Sequence, residues 1–166
     1  MPESANFNFL KEHPPVFLQL ASAAERAFSS DPNTTLIKLR QFAEAMAQDL
    51  ASRSGVSFEE STSQSDLLWR LNREISLDPQ IRDLFHTLRT EGNKAAHEFD
   101  TQHREAMDGL KIGRALAVWY HRSFGKQGAQ FKPGSFSPPQ DPSNQLRSLQ
   151  AEIEKLKGQL NDSNQQ

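Results

Sequence analysis

The stretch from Leu88 to Phe99, Leu-Arg-Thr-Glu-Gly-Asn-Lys-Ala-Ala-His-Glu-Phe, holds the densest set of side chains able to do chemistry. At about 100° per residue, Arg89, Asn93 and His97 fall at i, i+4 and i+8 and share one helix face. A guanidinium, an amide and an imidazole placed together can hold a phosphate and move a proton, as a metal-independent ribonuclease requires. The same residues also suit a structural role. Gly92, four residues after Leu88, lets a second helix approach closely, Asn93 can tie its helix to neighbouring backbone, and a histidine near a helix end can satisfy carbonyls. Glu44, far upstream, can pair with Arg89 and make Glu44, Arg89, Asn93 and His97 a buried network. The residues alone leave both readings open.

Other chemistry is sparsely represented. His86, His97, His103 and His121 do not have the spacing of a recognisable metal site, and there is no HExxH or paired-carboxylate motif, so no metal is expected. Gly125-Lys126 lacks both the upstream glycine and the hydroxyl of a phosphate-binding loop, and no nucleotide cofactor is expected in this chain. Lys38 and Arg40 in one helical stretch and Arg122 in another are candidate nucleic-acid contacts; a solvated face accounts for them equally well. In Trp119-Tyr120-His121-Arg122, core packing by Trp119 beside a solvent-facing Arg122 competes with base stacking.

The positioning elements are helices. β-Branched residues are few, no segment alternates apolar with polar for long, and three- and four-residue spacing recurs throughout. Asp31-Pro32, Asp78-Pro79 and Asp141-Pro142 each read as a helix start, because aspartate accepts from first-turn N–H groups and proline there has no N–H to waste. The spacing predicts helices around Phe7 to Phe28 with a break at Pro14-Pro15, Pro32 to Arg53 with Gly55 as the stop, Ser65 to Ile75, from Pro79 onward, and His103 to Phe124. The all-α domain is expected over residues 1–125, with a Pro/Gly/Ser-rich linker over 126–143. Over 144–166, Leu146, Leu149, Ile153, Leu156 and Leu160 recur at alternating spacings of three and four, the a/d seam of a coiled-coil start. So short a seam needs a partner helix or a continuation; the same spacing also suits a helix folded back on the domain.

Bulk properties narrow the classes. The formal charge of −2 draws the chain neither to nucleic acid nor to an anionic membrane, so any DNA contact must be local. The absence of cysteine excludes disulfides and thiolate zinc sites. With no signal-peptide pattern at the amino terminus and no apolar run of about 18 residues, a soluble cytoplasmic protein without a membrane partner is expected.

Four blocks in order resemble one family: Asn6 to Lys11, Asp31 to Glu44, Leu84 to Glu98, and Ala115 to Tyr120. Over residues 5 to 125 the chain is similar to the amino-terminal HEPN-like helical domain of the R (HsdR) subunit of type I restriction enzymes. The resemblance implies a HEPN-like bundle of about five helices that leads into a stalk, then a PD-(D/E)xK nuclease and a helicase-like translocase. Those activities, with ATP and Mg as cofactors, would belong to a longer parent protein, assembled with methylase and specificity subunits and reaching DNA through that complex. HEPN ribonucleases are similar in placing an arginine and a histidine on one helix, but at a shorter interval than the seven residues between Arg89 and His97. Arg89, Asn93 and His97 are therefore assigned first to folding or docking and second to ribonuclease chemistry.

Overall fold

Each Asp-Pro pair starts a helix in the way its chemistry dictates. The computed structural model describes residues 3–164, and in it Asp31 caps α2 (Pro32–Ser54) by accepting the Thr34 N–H at 3.2 Å. Asp78 caps α4 (Pro79–Glu98) through the Gln80 N–H at 2.8 Å, and Asp141 accepts from Ser143 at 2.8 Å where α6 (Pro142–Asn164) begins. Ser63 does the same for α3 (Gln64–Ile75) at 3.1 Å. The expected first helix is divided at Pro14-Pro15: a 3₁₀ turn, Asn8–Glu12, precedes α1 (Pro15–Ala27). Gly55, with φ at 72°, ends α2 in the left-handed conformation that glycine adopts without strain. Helix α5 spans His103–Phe124. Among the described residues the regular structure is entirely helical, so the all-α expectation holds.

Helix α2 is the axis of the bundle and touches α1, α3, α4 and α5. Its buried positions, Leu36, Leu39, Phe42, Ala43, Met46, Ala47, Leu50 and Ala51, cover a wide stripe at three- and four-residue spacing. Phe42 takes Phe7 and Phe17 edge-on, with ring centroids 6.3 and 6.2 Å away. Three glycines set how closely the neighbours approach. A Cβ on Gly109 or Gly113 of α5 would lie 2.5 Å from Leu36 Cδ2 or 2.7 Å from Leu39 Cδ2, and one on Gly92 of α4 would lie 2.4 Å from Arg40 Cβ. Tyr120 of α5 is fully buried and closes one end of the bundle: its phenol donates to Asp49 at 2.6 Å, and Arg53 donates to Asp49 at 2.8 Å. Burial and that hydrogen bond push the phenol pKa up to about 12.

Residues 126–141 run irregularly apart from one short 3₁₀ turn at Gly128–Gln130, Pro142 and Ser143 already belonging to α6, and they do not hang free. They form a strap along the bundle. Buried Asn6 donates to the Ser137 carbonyl at 2.8 Å and accepts the Ser137 N–H at 2.7 Å. Arg114 donates to the Pro133 carbonyl at 2.6 Å, Arg122 to that of Phe131 at 3.1 Å, and Ser29 to that of Gln140 at 2.8 Å. Phe131 packs edge-on against His121 at 4.4 Å, and His121 meets His13 with ring nitrogens 2.8 Å apart. Burial and the neighbouring His121 hold the His13 pKa below its ordinary value of 6.5; Arg53 adds to the depression, while Glu12 and Asp49 oppose it.

Helix α6 stands away from this assembly. Leu146, Leu149, Ile153, Leu156 and Leu160 are 59, 55, 50, 54 and 64 % exposed, so the seam does not fold back on the bundle. No helix among the described residues is long and apolar enough to cross a membrane.

Two outcomes follow from the packing. Gly92→Ala gains about 1 kcal/mol of helix propensity but places its methyl on the first carbon of the Arg40 side chain. Such overpacking costs about 1–3 kcal/mol, and where it exceeds the propensity gain the thermal midpoint falls by roughly 2–8 °C. Gly158→Ala, with open space around it, is the control expected to show no loss. The second outcome concerns pH. Because the folded state depresses the His13 pKa, the unfolded chain binds the proton more readily, and stability present above 6.5 is lost as pH falls through that value toward the folded pKa. Melting curves between about pH 7.5 and 5 should show a smaller decline for His13→Gln than for the parent; equal slopes would exclude this role.

Candidate functional site

The chemically loaded stretch lies in the second half of α4, and its register does place Arg89, Asn93 and His97 along one side of the helix. Their partners separate them. Arg89 is half-buried and makes its hydrogen bond with His86 Nδ1, one turn earlier, at 3.2 Å. Asn93 accepts from Arg40 of α2 at 3.2 Å. His97 is exposed in the last turn, before Phe99 ends the helix at a φ of 53°. Eight residues of α-helix put Arg89 and His97 about 12 Å apart along the axis. Among the described residues the structure links Arg89 to His86 and gives no hydrogen bond between Arg89 and His97.

Glu44 and Asn93 do join one network, but the arginine between them is Arg40. Its Nε lies 3.4 Å from Glu44, one turn on along α2, and its guanidinium reaches Asn93 across the interface. The aliphatic stem of Arg40 lies over Gly92, where any side chain would block it. Arg40 thus carries the α2–α4 contact with its carbons and a charged tie with its head. Arg89 takes a different partner from the Glu44 expected for it, because its bond to His86 keeps it on its own helix.

Of the remaining candidates, Lys38 is half-buried on α2, and Arg122 is exposed at the end of α5 with its Nε on the strap. Arg40 is engaged as an internal tie to Asn93, and Arg122 holds Phe131 of the strap. Trp119 is partly buried against the core, as the packing reading expects. Among the described residues one group brings potential metal ligands within 4.8 Å of each other, Glu12, His13 and His121. Within it His13 Nε2 and His121 Nδ1 bond each other, and Glu12 Oε2 accepts the Lys126 N–H at 3.2 Å.

Sequence reasoning misses two features. Asn6 stands out in sequence only as part of a block, without its two-way amide pairing to Ser137, for which a buried asparagine near an irregular segment is the only local sign. Trp69 is the other: it sits between Leu68 and Arg70 in a leucine-bearing helix, where the apolar spacing suggests a core position, yet it is 61 % exposed.

Comparison with known proteins agrees with the four-block resemblance. Over 122 residues the chain is 41 % identical to the type I restriction enzyme EcoKI endonuclease subunit of Escherichia coli (strain K12). That match covers 74 % of this chain and 10 % of the relative, so the chain spans about a tenth of that protein's length. No solved structure matches the chain significantly. Residues 22–121, which run from α1 through nearly all of α5, match the family described as domain of unknown function DUF4145. With more than half of its length matched, the chain belongs to the DUF4145 family.

Proposed function

We propose that this chain is the amino-terminal, HEPN-like docking domain of a type I restriction R subunit, itself without catalytic activity. The observation that carries the reading is the 41 % identity over 122 residues to an endonuclease subunit about ten times as long as the matched stretch. On this reading the nuclease and the ATP- and Mg-dependent translocase lie elsewhere in the same polypeptide. Methylase and specificity subunits are the partners, DNA is met within the cytoplasmic complex, and α6 is the start of the stalk.

Two physical features support a docking role. Arg89, Asn93 and His97 are parted by separate partners, which favours structure over a shared reaction centre. The apolar seam of α6 is exposed along its described length and suits a helix partner. With Leu146, Ile153 and Leu160 at a and Leu149 and Leu156 at d, Glu152 falls at g and Lys157 at e, an attractive pair across a parallel interface.

The test is deletion of residues 1–125 from the full-length R subunit, followed by measurement of assembly with the methylase and specificity subunits and of ATP-dependent DNA cleavage. Loss of assembly, or of cleavage with assembly intact, is expected. Unchanged assembly and cleavage would sink the reading.

A further inference from the structure

Helix α3 turns four residues toward α4: Ser65, Leu68, Trp69 and Asn72, at i, i+3, i+4 and i+7. Helix α4 answers with Arg82, His86 and Arg89, at i, i+4 and i+7. Between them lies a cleft of about 210 Å³ whose lining contains no carboxylate. Acidic residues do occur on these helices, but Asp66, Glu74 and Asp83 do not line it, and Glu74 is paired with Arg73 at 3.4 Å. The chain as a whole is slightly acidic, so this strip of cations is a local arrangement and not a by-product of net charge.

Trp69 is 61 % exposed, which leaves indole surface in water at the mouth of this cleft. The Arg73 guanidinium lies over one face of the ring, 4.8 Å from its centroid, and leaves the other face for a ligand. On the opposite wall Arg89 donates to His86 Nδ1 at 3.2 Å, which leaves the Nε2–H of that imidazole as a donor beside two guanidinium groups. An aromatic platform facing a row of N–H donors matches a nucleotide unit: the base stacks on the ring and the phosphate takes the cations. Bases in a duplex are already stacked on each other, so the ligand is an unpaired strand.

We propose that the α3–α4 cleft binds single-stranded nucleic acid, with a base stacked on Trp69 and the adjoining phosphates held by Arg82 and Arg89. The assignment rests on the docking reading above for its place in a DNA-handling complex, and it gives Arg89 a ligand in addition to its bond with His86.

The experiment is fluorescence anisotropy of a labelled oligothymidylate titrated with the full 166-residue chain across a series of salt concentrations. The parent should bind, with affinity falling as salt rises. Trp69→Ala should weaken binding roughly 5–150-fold, the range expected for loss of one stacked base, and Trp69→Phe should recover part of it. Arg82→Ala with Arg89→Ala should flatten the salt dependence by about 1.4 in log–log slope, the equivalent of two phosphates on a single strand. Lys155→Ala on α6 should leave binding at the parent level. Circular dichroism confirms that each variant is folded. Absence of binding by the parent, or binding untouched by Trp69→Ala, overturns the proposal. If Trp69→Ala spares oligonucleotide binding but blocks assembly of the full subunit with its methylase partner, the cleft is a protein contact and the proposal fails while the docking reading stands. If the 1–125 deletion is silent but the cleft binds the strand as described, the docking reading fails and the binding site remains.

Discussion

The close approach of α4 and α5 to α2 is the constraint on which the rest of the molecule depends. A helix buried on most sides cannot keep side chains of ordinary size at every contact, and the three glycines remove them where the axes come nearest. At Gly109 and Gly113 the vacated space takes the ends of Leu36 and Leu39, which are flexible; at Gly92 it takes the root of Arg40, which is not. The α2–α4 spacing therefore has the least room to give where a side chain is added at its glycine. Through it the position of Asn93, and the outward course of Arg89 one turn earlier, are fixed by a residue with no chemistry of its own.

Much of the architecture can be read from local rules. Asp31, Asp78 and Asp141 announce helix starts because capping involves only a residue and the N–H groups two or three places on. Gly55 announces a stop for a similarly local reason, its freedom at positive φ. The end of α4 is less visible, since Phe99, a bulky residue, occupies the left-handed position there. The a/d spacing of α6 is legible, and whether the helix returns to the bundle is not, because both outcomes use the same periodicity.

The site is less legible than the fold. A helical wheel correctly puts Arg89, Asn93 and His97 on one side, but a face is not a point, and which arginine meets Asn93 depends on how α2 crosses α4. The strap leaves almost no trace in composition: its carbonyls are what Arg114, Arg122 and Asn6 seek, and every residue type has a carbonyl. A Pro/Gly/Ser-rich segment reads as a tether because its side chains make no pattern, while its backbone remains a continuous row of acceptors. Trp69 shows the opposite limit, an apolar side chain at a plausible core spacing that the packed α3–α4 pair turns to solvent.

The strap also has a mechanical meaning. Load applied to α6 enters the bundle through a series of anchors, met in turn at His103, Ser29, Asn6, Arg114 and Arg122. Pulling from the α6 end peels these attachments one at a time instead of shearing them together, so each yields before the next is stressed. The helices behind them are spared until the last has gone. The segment thus couples α6 to the bundle through a row of separate attachments, and what it releases under tension is only the difference between its contour and the span it already covers, while the packing around α2 stays intact.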